Sequence, residues 1–236
     1  MQVDVIPNVT EARSDDFVQK TVIVVDVLRA TSTIVTALAH GCAGIAPVET
    51  VQQAKQMREP GILLGGERFG KKISGFDLGN SPLEYTEEAV CGKSVVLTTT
   101  HGTRAIQKAQ RASFVLAACM LNAAACARKS LELNRDIVIL CAGTQDHFSL
   151  EDGLCAGLLV DELYRNCNDL EEVNDFGKAM RWAYLAAEHR IREELMESSG
   201  GKKLIRLGFG EDVLYCAQIN EYELVPVLKD QWMIRF

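Results

Sequence analysis

Three short runs in this sequence are apolar on both faces of an extended chain, which is typical of central strands in a parallel sheet. They lie at 21–26, 94–98 and 136–141. Helical stretches alternate with β-rich runs along the chain, and this alternation favours helices on both sides of such a sheet. We therefore predict an α/β fold, a three-layer α/β/α sandwich with a mostly parallel or mixed sheet.

The same patterns give approximate bounds for the elements. Strands are predicted at 3–6, 21–27, 44–48, 61–65, 93–98, 113–117, 136–141 and 222–227. Helices are predicted at 31–40, 50–58, 82–89, 102–110, 121–133, 150–166, 173–197 and 211–218. Residues 198–201 are interpreted as the exit loop of the longest helix. No linker, low-complexity segment or clear repeat divides the 236 residues, so a single domain over 1–236 is expected.

Composition excludes several classes of protein. Hydrophobic residues make up 47% of the chain and charged residues 24%, which rules out a disordered chain. The net charge of −7, without a basic run, argues against nucleic acid as a partner. The longest apolar stretch, 22–25, is far too short to cross a membrane, and the N-terminus lacks the regions of a signal peptide. Eight cysteines without CxxC spacing indicate reduced thiols, so a cytoplasmic location is expected.

Ligands of parallel α/β sheets bind in the loops that follow the carboxyl ends of the strands. Four such loops carry unusual polar residues here, at 26–33, 65–82, 98–104 and 141–152. Because these loops share one edge of the sheet, we expect their side chains to form one site.

The first loop places Asp26 at the end of a buried strand and Arg29 three residues later. Thr31 or Ser32 is expected to cap the next helix, whose N-terminus would then favour an anion. Asp26 could bind a metal and Arg29 an oxyanion. Alternatively, Asp26 caps the turn and pairs with Arg29 at the surface.

The second loop is longer than a typical connection and rich in glycine, which lets backbone amides approach a ligand. Glu67 and Asp77 are candidate metal ligands because their oxygens are hard donors. Asn80 and Ser81 lead into a helix with Pro82 in its first turn. The alternative is a solvated loop in which Ser81 is a plain cap.

The third loop combines Thr99, Thr100, Gly102, Thr103 and Arg104. Hydroxyls, backbone amides and a guanidinium at a strand-to-helix turn suit an oxyanion, although threonine is also simply a good strand former. The residue between the threonines and the glycine, His101, could act as an acid or base, but we interpret it as a polar loop residue.

The fourth loop ends in a helix start at Ser149, with Glu151 and Asp152 in the first turn. A plain helix cap explains this pattern as well as catalysis does. Cys141 could be a nucleophile, but no Cys-x5-Arg loop is present and a buried thiol is the preferred interpretation.

The four loops together supply carboxylates and arginines. Five carboxylates without a cysteine or histidine cluster favour Mg²⁺ over zinc; they are Asp26, Glu67, Asp77, Glu151 and Asp152. Arginines in three loops, Arg29, Arg68 and Arg104, favour a small ligand with more than one anionic group. Magnesium and arginines around a small polyanion indicate phosphoryl chemistry.

Several segments resemble the 2-phosphosulfolactate phosphatase family, the ComB type of coenzyme M biosynthesis. They are VDVLRATSTI at 25–34, GGER at 65–68, GFDLGNSP at 75–82, TTTHGTRA at 98–105, CAGT at 141–144, FSLEDGLCAG at 148–157, LGFGEDVLYCAQ at 207–218 and VP at 225–226. The order and number of these segments make the resemblance specific. His101 departs from the asparagine that is usual in the family.

The resemblance implies an α/β/α fold of the family's own type, a small polyanionic substrate and a homodimer. It implies an Mg²⁺-dependent phosphatase that hydrolyses (2R)-O-phospho-3-sulfolactate to (2R)-3-sulfolactate and phosphate. The catalytic and metal-binding candidates are the five carboxylates above. The substrate-binding candidates are Arg29, Ser32, Arg68, Asn80, Ser81, Thr99, Thr100, Gly102, Thr103 and Arg104.

Two mechanisms and two further functions stay open. Attack by metal-activated water is preferred to attack by Asp26 itself, because Asp26 is not followed by the Asp-x-Asp pattern of aspartyl-phosphate enzymes. The chain could instead act on another phosphorylated 2-hydroxy acid, or bind anions without catalysis. Retention of the carboxylates argues against the last possibility.

Overall fold

The computed structural model describes residues 1–167 and 170–236, and within them eleven strands form one sheet. The strands are β1 (Gln2–Ile6), β2 (Thr21–Val25), β3 (Gly44–Val48), β4 (Ile62–Arg68), β5 (Lys71–Lys72), β6 (Ser94–Thr98), β7 (Phe114–Ala118), β8 (Ile137–Cys141), β9 (Glu172–Val173), β10 (Pro226–Lys229) and β11 (Trp232–Arg235). Their order across the sheet is β5-β4-β6-β3-β11-β10-β7-β2-β8-β1-β9.

Ten α-helices of the described chain flank this sheet. They are α1 (Ala30–Ala39), α2 (Val51–Gln56), α3 (Glu87–Val90), α4 (Gly102–Lys108), α5 (Ala123–Glu132), α6 (Leu150–Asn166), α7 (Asp175–Ala187), α8 (Ile191–Glu197), α9 (Ser199–Arg206) and α10 (Gly210–Cys216). Short 3₁₀ helices occur at Ser14–Phe17, Pro82–Glu84, Met120–Asn122 and Glu188–Arg190.

The centre of the sheet is parallel and buried on both faces, as predicted. Strand β2 pairs in parallel with β7 on one side and β8 on the other. Alternate residues of β2 enter two separate cores: Val22 and Val24 pack on one side, Ile23 and Val25 on the other. This confirms the three-layer α/β/α prediction, because each core lies between the sheet and one layer of helices.

A C-terminal hairpin, β10 and β11, lies inside the sheet between β7 and β3 and is antiparallel to both. It joins the parallel group β4-β6-β3 to the parallel group β7-β2-β8-β1, and the two groups run in opposite directions because every pairing from β7 to β3 is antiparallel. The four polar loops therefore do not leave one common edge of the sheet, contrary to expectation. The predicted strand at 222–227 overlaps only its first residues, and the second strand was missed. Strands of four residues carry too few alternations to give a clear period.

Other differences concern element ends. The predicted helix at 173–197 is divided into α7, a 3₁₀ turn and α8. The predicted exit loop at 198–201 is wrong: Ser198 caps α9, and its hydroxyl accepts a hydrogen bond from the Gly201 amide at 3.0 Å. Side-chain capping outweighs the low helix propensity of the two glycines that follow Ser198.

The predicted loop at 65–82 also begins in a strand. Strand β4 continues to Arg68 because Glu67 pairs with Lys72 and Arg68 with Lys71 in an antiparallel hairpin. No helix among residues 1–167 and 170–236 combines the length and apolar character that crossing a membrane requires.

Gly66 is the position in β4 where a side chain is least tolerated. Its φ of +150° lies outside the usual range of L residues, and a Cβ there would collide with the backbone carbonyl of Thr98 on the neighbouring strand. Gly61 also has a positive φ, of +87°, but nothing lies within 4 Å of a Cβ at that position.

We expect Gly66→Ala to lower the free energy of unfolding by about 2–4 kcal/mol, because it adds a steric collision to backbone strain. The matched variant Gly61→Ala is expected to cost about 1 kcal/mol, because it adds strain alone. Urea unfolding of both variants measures the difference. Equal losses would contradict the close approach of β4 to β6 at Gly66.

Candidate active site

Loops that follow the carboxyl ends of β2, β4, β6 and β8 enclose a cavity of about 110 Å³. Its walls come from the four loops that were predicted to form the site and from helix α9, which was not part of that prediction. The lining residues are Asp26, Leu28, Arg29, Glu67, Phe69, Gly70, Asn80, Thr99, Thr100, His101, Thr144, Gln145, Gly200, Lys203 and Leu204.

Asp26 is buried after the end of β2, and one of its carboxylate oxygens is hydrogen-bonded within the turn that follows. Its Oδ1 accepts a hydrogen bond from the Ala30 amide at 3.2 Å, and its backbone carbonyl accepts one from the Thr31 hydroxyl at 2.7 Å. Its Oδ2 accepts no hydrogen bond from any described residue and lies where a Cβ on Gly102 would come within 2.5 Å. The glycine of the third loop therefore leaves this oxygen space to face a ligand.

Burial and neighbouring charge make Asp26 unusually basic. The pKa of Asp26 is raised from 3.8 to about 7, chiefly by burial and also by the negative charges of Glu67 and Glu151, against the opposing effects of the Ala30 amide and Arg29. Such perturbation is common in functional sites, where a carboxylate awaits a cation or a proton.

Glu67 is held as an ionised carboxylate. Although burial opposes ionisation, hydrogen bonds from the Gly70 and Thr100 amides and the Thr100 hydroxyl lower the pKa of Glu67, with help from Arg68. These bonds are 2.7 to 2.8 Å long. Glu67 thereby fixes the threonine loop after β6 against the β4–β5 hairpin.

Arg29 is buried at the cavity wall and is paired with a residue that the sequence analysis missed. Its Nη1 donates to Asp212 Oδ2 of helix α10, and its guanidinium lies 4.4 Å from the ring centroid of Phe209. The other oxygen of Asp212 accepts a hydrogen bond from the Ser81 hydroxyl at 2.8 Å. The alternative of a surface pair between Asp26 and Arg29 is therefore wrong, since Arg29 is only 3% exposed and bonds Asp212 instead.

Asp152 and Glu151 lie behind the cavity wall. The Asp152 carboxylate accepts the Val27 amide at 2.9 Å and the Gly143 amide at 3.0 Å, which joins the first loop to the fourth. Burial raises the pKa of both Asp152 and Glu151 above the ordinary range. Glu151 lines an adjoining groove of about 650 Å³ instead.

The threonine loop is fixed by reciprocal hydrogen bonds. The Thr99 amide donates to the Thr103 hydroxyl, and the Thr103 amide donates to the Thr99 hydroxyl, each at 3.2 Å. Thr103 therefore shapes the loop, while Thr99 and Thr100 line the cavity. His101 also lines the cavity, and its Nε2 accepts a hydrogen bond from the Gln145 amide at 3.0 Å. Burial lowers the pKa of His101, which keeps the ring neutral at neutral pH.

Asn80 lines the cavity, and its side-chain oxygen is buried without a hydrogen-bond partner in the described part of the chain. Its side chain is 5% exposed, and its Oδ1 has no hydrogen-bond partner among the described residues. A buried polar atom without a partner is costly unless a ligand completes it. Asn80 therefore marks a place for a polar group of a ligand.

Two arginines lie away from the cavity. Arg68 donates to the backbone carbonyls of Glu67 and Glu49, which braces strand β4. Arg104 is about half exposed and pairs with Asp146 at 3.0 Å. These side chains are occupied by protein groups and do not reach the cavity walls.

The remaining candidates are also placed outside the cavity. Asp77 pairs with Arg58 at 2.9 Å and accepts the Leu64 amide. The helix cap expected at Thr31 or Ser32 is wrong: α1 begins at Ala30, and the Ser32 hydroxyl returns to the Val27 carbonyl. Both hydroxyls satisfy carbonyls of the preceding turn rather than amides of the helix.

Cys141 is fully buried, and burial raises its pKa well above the ordinary value. A thiol in this state is a poor nucleophile, which agrees with the preferred interpretation of Cys141 as a core residue.

No group of three or more His, Cys, Asp or Glu side chains suited to a metal occurs within the described parts of the chain. Mg²⁺ commonly uses only one or two carboxylates and takes its other oxygens from water and a substrate phosphate. The free Oδ2 of Asp26, the ionised Glu67 and the unpartnered Oδ1 of Asn80 are hard oxygen donors of residues that line the same cavity. They fit such a shared site, and do not form a closed protein cage.

Comparisons with known proteins all match this chain to the same family. A family model described as 2-phosphosulpholactate phosphatase matches residues 7–231. A Thermotoga petrophila protein named "Probable 2-phosphosulfolactate phosphatase" is 46% identical over 212 residues, 89% of each chain. A Clostridium acetobutylicum protein of the same name is 40% identical over 229 residues, covering 96% of this chain and 97% of its own. A third, from Clostridium botulinum, is 39% identical over the full length of both.

We expect Asp212→Asn to lower the free energy of unfolding by about 3–5 kcal/mol, because it leaves the Arg29 guanidinium buried without its counter-charge. Asp146→Asn is the matched control, since it removes an exposed partner of Arg104 and should cost less than about 1 kcal/mol. Urea unfolding measures both. A loss for Asp212→Asn no larger than for the control would contradict a buried pair.

Asp26 should make the metal-free protein less stable as pH rises. Between its ordinary value of 3.8 and about 7, the folded state retains a proton that the unfolded state has released, so the free energy of unfolding decreases as pH increases through this range. We expect Asp26→Asn to be more stable than the unchanged protein at pH 8 in EDTA, by about 2 kcal/mol or more, and the difference to shrink toward pH 4.

Thermal and urea unfolding at the two pH values test this expectation. Because the Asp26 charge also raises the pKa of Asp152, the difference between the proteins reports the titration of Asp26 together with its coupling to Asp152. A difference that is constant with pH would contradict a raised pKa of Asp26.

Proposed function

The chain belongs to the 2-phosphosulfolactate phosphatase family and is a phosphatase, and we propose that it hydrolyses (2R)-O-phospho-3-sulfolactate to (2R)-3-sulfolactate and phosphate with Mg²⁺ as cofactor. One observation carries this proposal: the free carboxylate oxygen of Asp26 and the unpartnered amide of Asn80 line the same cavity as two cationic side chains. A ligand with several anionic groups and a phosphate near a carboxylate fits that arrangement.

The donors on the cavity walls suit the phosphoryl group. Arg29 supplies a guanidinium whose position is fixed by Asp212 and Phe209. Asn80 supplies a side-chain amide whose Oδ1 has no partner among the described residues. Because these groups are oriented before the substrate arrives, they can stabilise charge on the phosphoryl oxygens without reorganisation.

Asp26 and Glu67 would hold the magnesium ion, with Asn80 as a further oxygen donor. When bound, Mg²⁺ would neutralise negative charge on the phosphoryl oxygens. The raised pKa of Asp26 in the absence of a cation supports a carboxylate that is built to face positive charge.

We propose that water attacks the phosphorus while Asp26 Oδ2 orients it. Oδ1 stays bonded to the Ala30 amide, so the carboxylate keeps a fixed direction. The alternative is attack by Asp26 itself, which would form an aspartyl phosphate. Trapping a phosphorylated protein during turnover would replace the first mechanism by the second.

The setting of the reaction also remains a proposal. The eight cysteines are all free and most are buried, which supports a cytoplasmic enzyme with reduced thiols. A homodimer and a place in coenzyme M biosynthesis rest on the resemblance to the family.

Phosphate release from racemic phosphosulfolactate tests the function. We expect release that needs Mg²⁺, stops in EDTA and ends near half conversion, because one enantiomer is preferred. Asp26→Asn should reduce kcat by about 1,000-fold or more, since it removes the charge that faces the reaction. Asp77→Asn is the matched control and should stay within a few-fold of the unchanged protein, because Asp77 pairs with Arg58 outside the cavity.

Three outcomes would contradict the proposal. Faster release from phospholactate or another phosphorylated 2-hydroxy acid would identify that ester as the substrate. No release from any ester would indicate a protein that binds anions without catalysis. Equal losses in Asp26→Asn and Asp77→Asn would place the reaction elsewhere.

A further inference from the structure

Two cations line the cavity, and they differ in their counter-charges. Arg29 is paired with the buried carboxylate of Asp212. Lys203, on helix α9, lines the same cavity but has no carboxylate within 4.0 Å among residues 1–167 and 170–236. Lys203 is thus a cation at the cavity wall whose charge the described protein does not neutralise by pairing.

The two cations also act on different parts of the cavity. Among the causes that set the pKa of Asp26, the Arg29 charge lowers it, after burial and the two neighbouring carboxylates have raised it. The Lys203 charge contributes to the lowered pKa of His101, where burial is the largest cause. Arg29 is held against α10 by Asp212, whereas Lys203 lies on α9 and lines both the cavity and the adjoining groove.

Lys203 stands where the cavity opens into the adjoining groove. That groove has a volume of about 650 Å³, and Lys203 and Gly200 line both spaces. Helix α9 supports this position because Ser198 caps it and Leu204 packs in the core. A ligand group that extends from the phosphate toward the groove meets the Lys203 ammonium.

We propose that Lys203 binds the sulfonate of the substrate and thereby determines preference for sulfonated over plain 2-phospho acids. This inference rests on the proposed function, which puts the phosphate beside Asp26. The carboxylate of the substrate is attached to the carbon that bears the phosphate, whereas the sulfonate is one carbon further away. The sulfonate is therefore the group that extends further from the phosphate, toward the place where the cavity meets the groove.

The chemistry of the two groups agrees with this assignment. A sulfonate presents three oxygens around a tetrahedral sulfur, and an ammonium is a compact charge with three donors. The Arg29 guanidinium is assigned to the phosphoryl group in the proposed function, so Lys203 is the cation on the cavity wall that remains for a second anionic group.

Kinetics with two substrates and two lysine variants test the proposal. The substrates are phosphosulfolactate and phospholactate, which differ in the sulfonate. The variants are Lys203→Met and, as the matched control, Lys202→Met, which removes the exposed neighbouring lysine that lines neither the cavity nor the groove.

We expect Lys203→Met to lower the ratio of kcat/KM for phosphosulfolactate to that for phospholactate by about 10- to 100-fold, as expected for loss of one partly desolvated charge pair. Most of the change should appear in KM, because the sulfonate is bound equally before and during reaction. Lys203→Arg should restore part of the ratio, and Lys202→Met should leave it unchanged. Far-ultraviolet circular dichroism and thermal unfolding establish that each variant is folded.

Other results would overturn the inference. An equal loss on both substrates would assign Lys203 to the phosphate or the carboxylate, and an unchanged ratio would assign it no part in recognition. Failure of the unchanged protein to release phosphate from phosphosulfolactate would overturn the proposed function instead. In that case, calorimetry measures the binding of sulfolactate and of lactate to the unchanged and Lys203→Met proteins. Selective loss of sulfolactate binding in Lys203→Met would support the role of Lys203 independently of catalysis.

Discussion

The buried ion pair between Arg29 and Asp212 connects the C-terminal helices to the loops that enclose the cavity. Asp212 also accepts the Ser81 hydroxyl, and Phe209 stacks on the guanidinium, so three distant parts of the chain meet at one point. A buried charge without a partner is costly, so each group depends on the other. Helix α9 lies directly before Phe209 and Asp212 in the chain, so the same contact holds Lys203 near the site.

The site concentrates negative charge in a place that water scarcely reaches. Asp26, Glu151 and Asp152 all have raised pKa values, with burial as the largest cause in each case. Backbone amides satisfy both oxygens of Asp152 and one oxygen of Asp26, yet Asp26 Oδ2 accepts no hydrogen bond from the described residues. A fold that retains this arrangement sacrifices stability for a carboxylate that faces a ligand, which is a common feature of catalytic sites.

The sequence was sufficient for the layers of the fold and for the loops that enclose the cavity. A buried strand followed by a carboxylate is a local signal, and it located Asp26 correctly at the carboxyl end of β2. Local signals do not reveal which charges pair across the chain. Asp212 and Lys203 were missed because both lie more than 170 residues after Asp26. The same limitation applies to Asp77, because its pairing with Arg58 depends on how the long second loop folds back.

A crystal structure with Mg²⁺, sulfolactate and orthovanadate tests the central claim most directly, because vanadate imitates a phosphoryl group in transfer. The account requires vanadate beside Asp26, within hydrogen-bonding distance of Arg29 and Asn80, with the sulfonate at Lys203. Vanadate bound in the adjoining groove, or remote from Asp26, would contradict it.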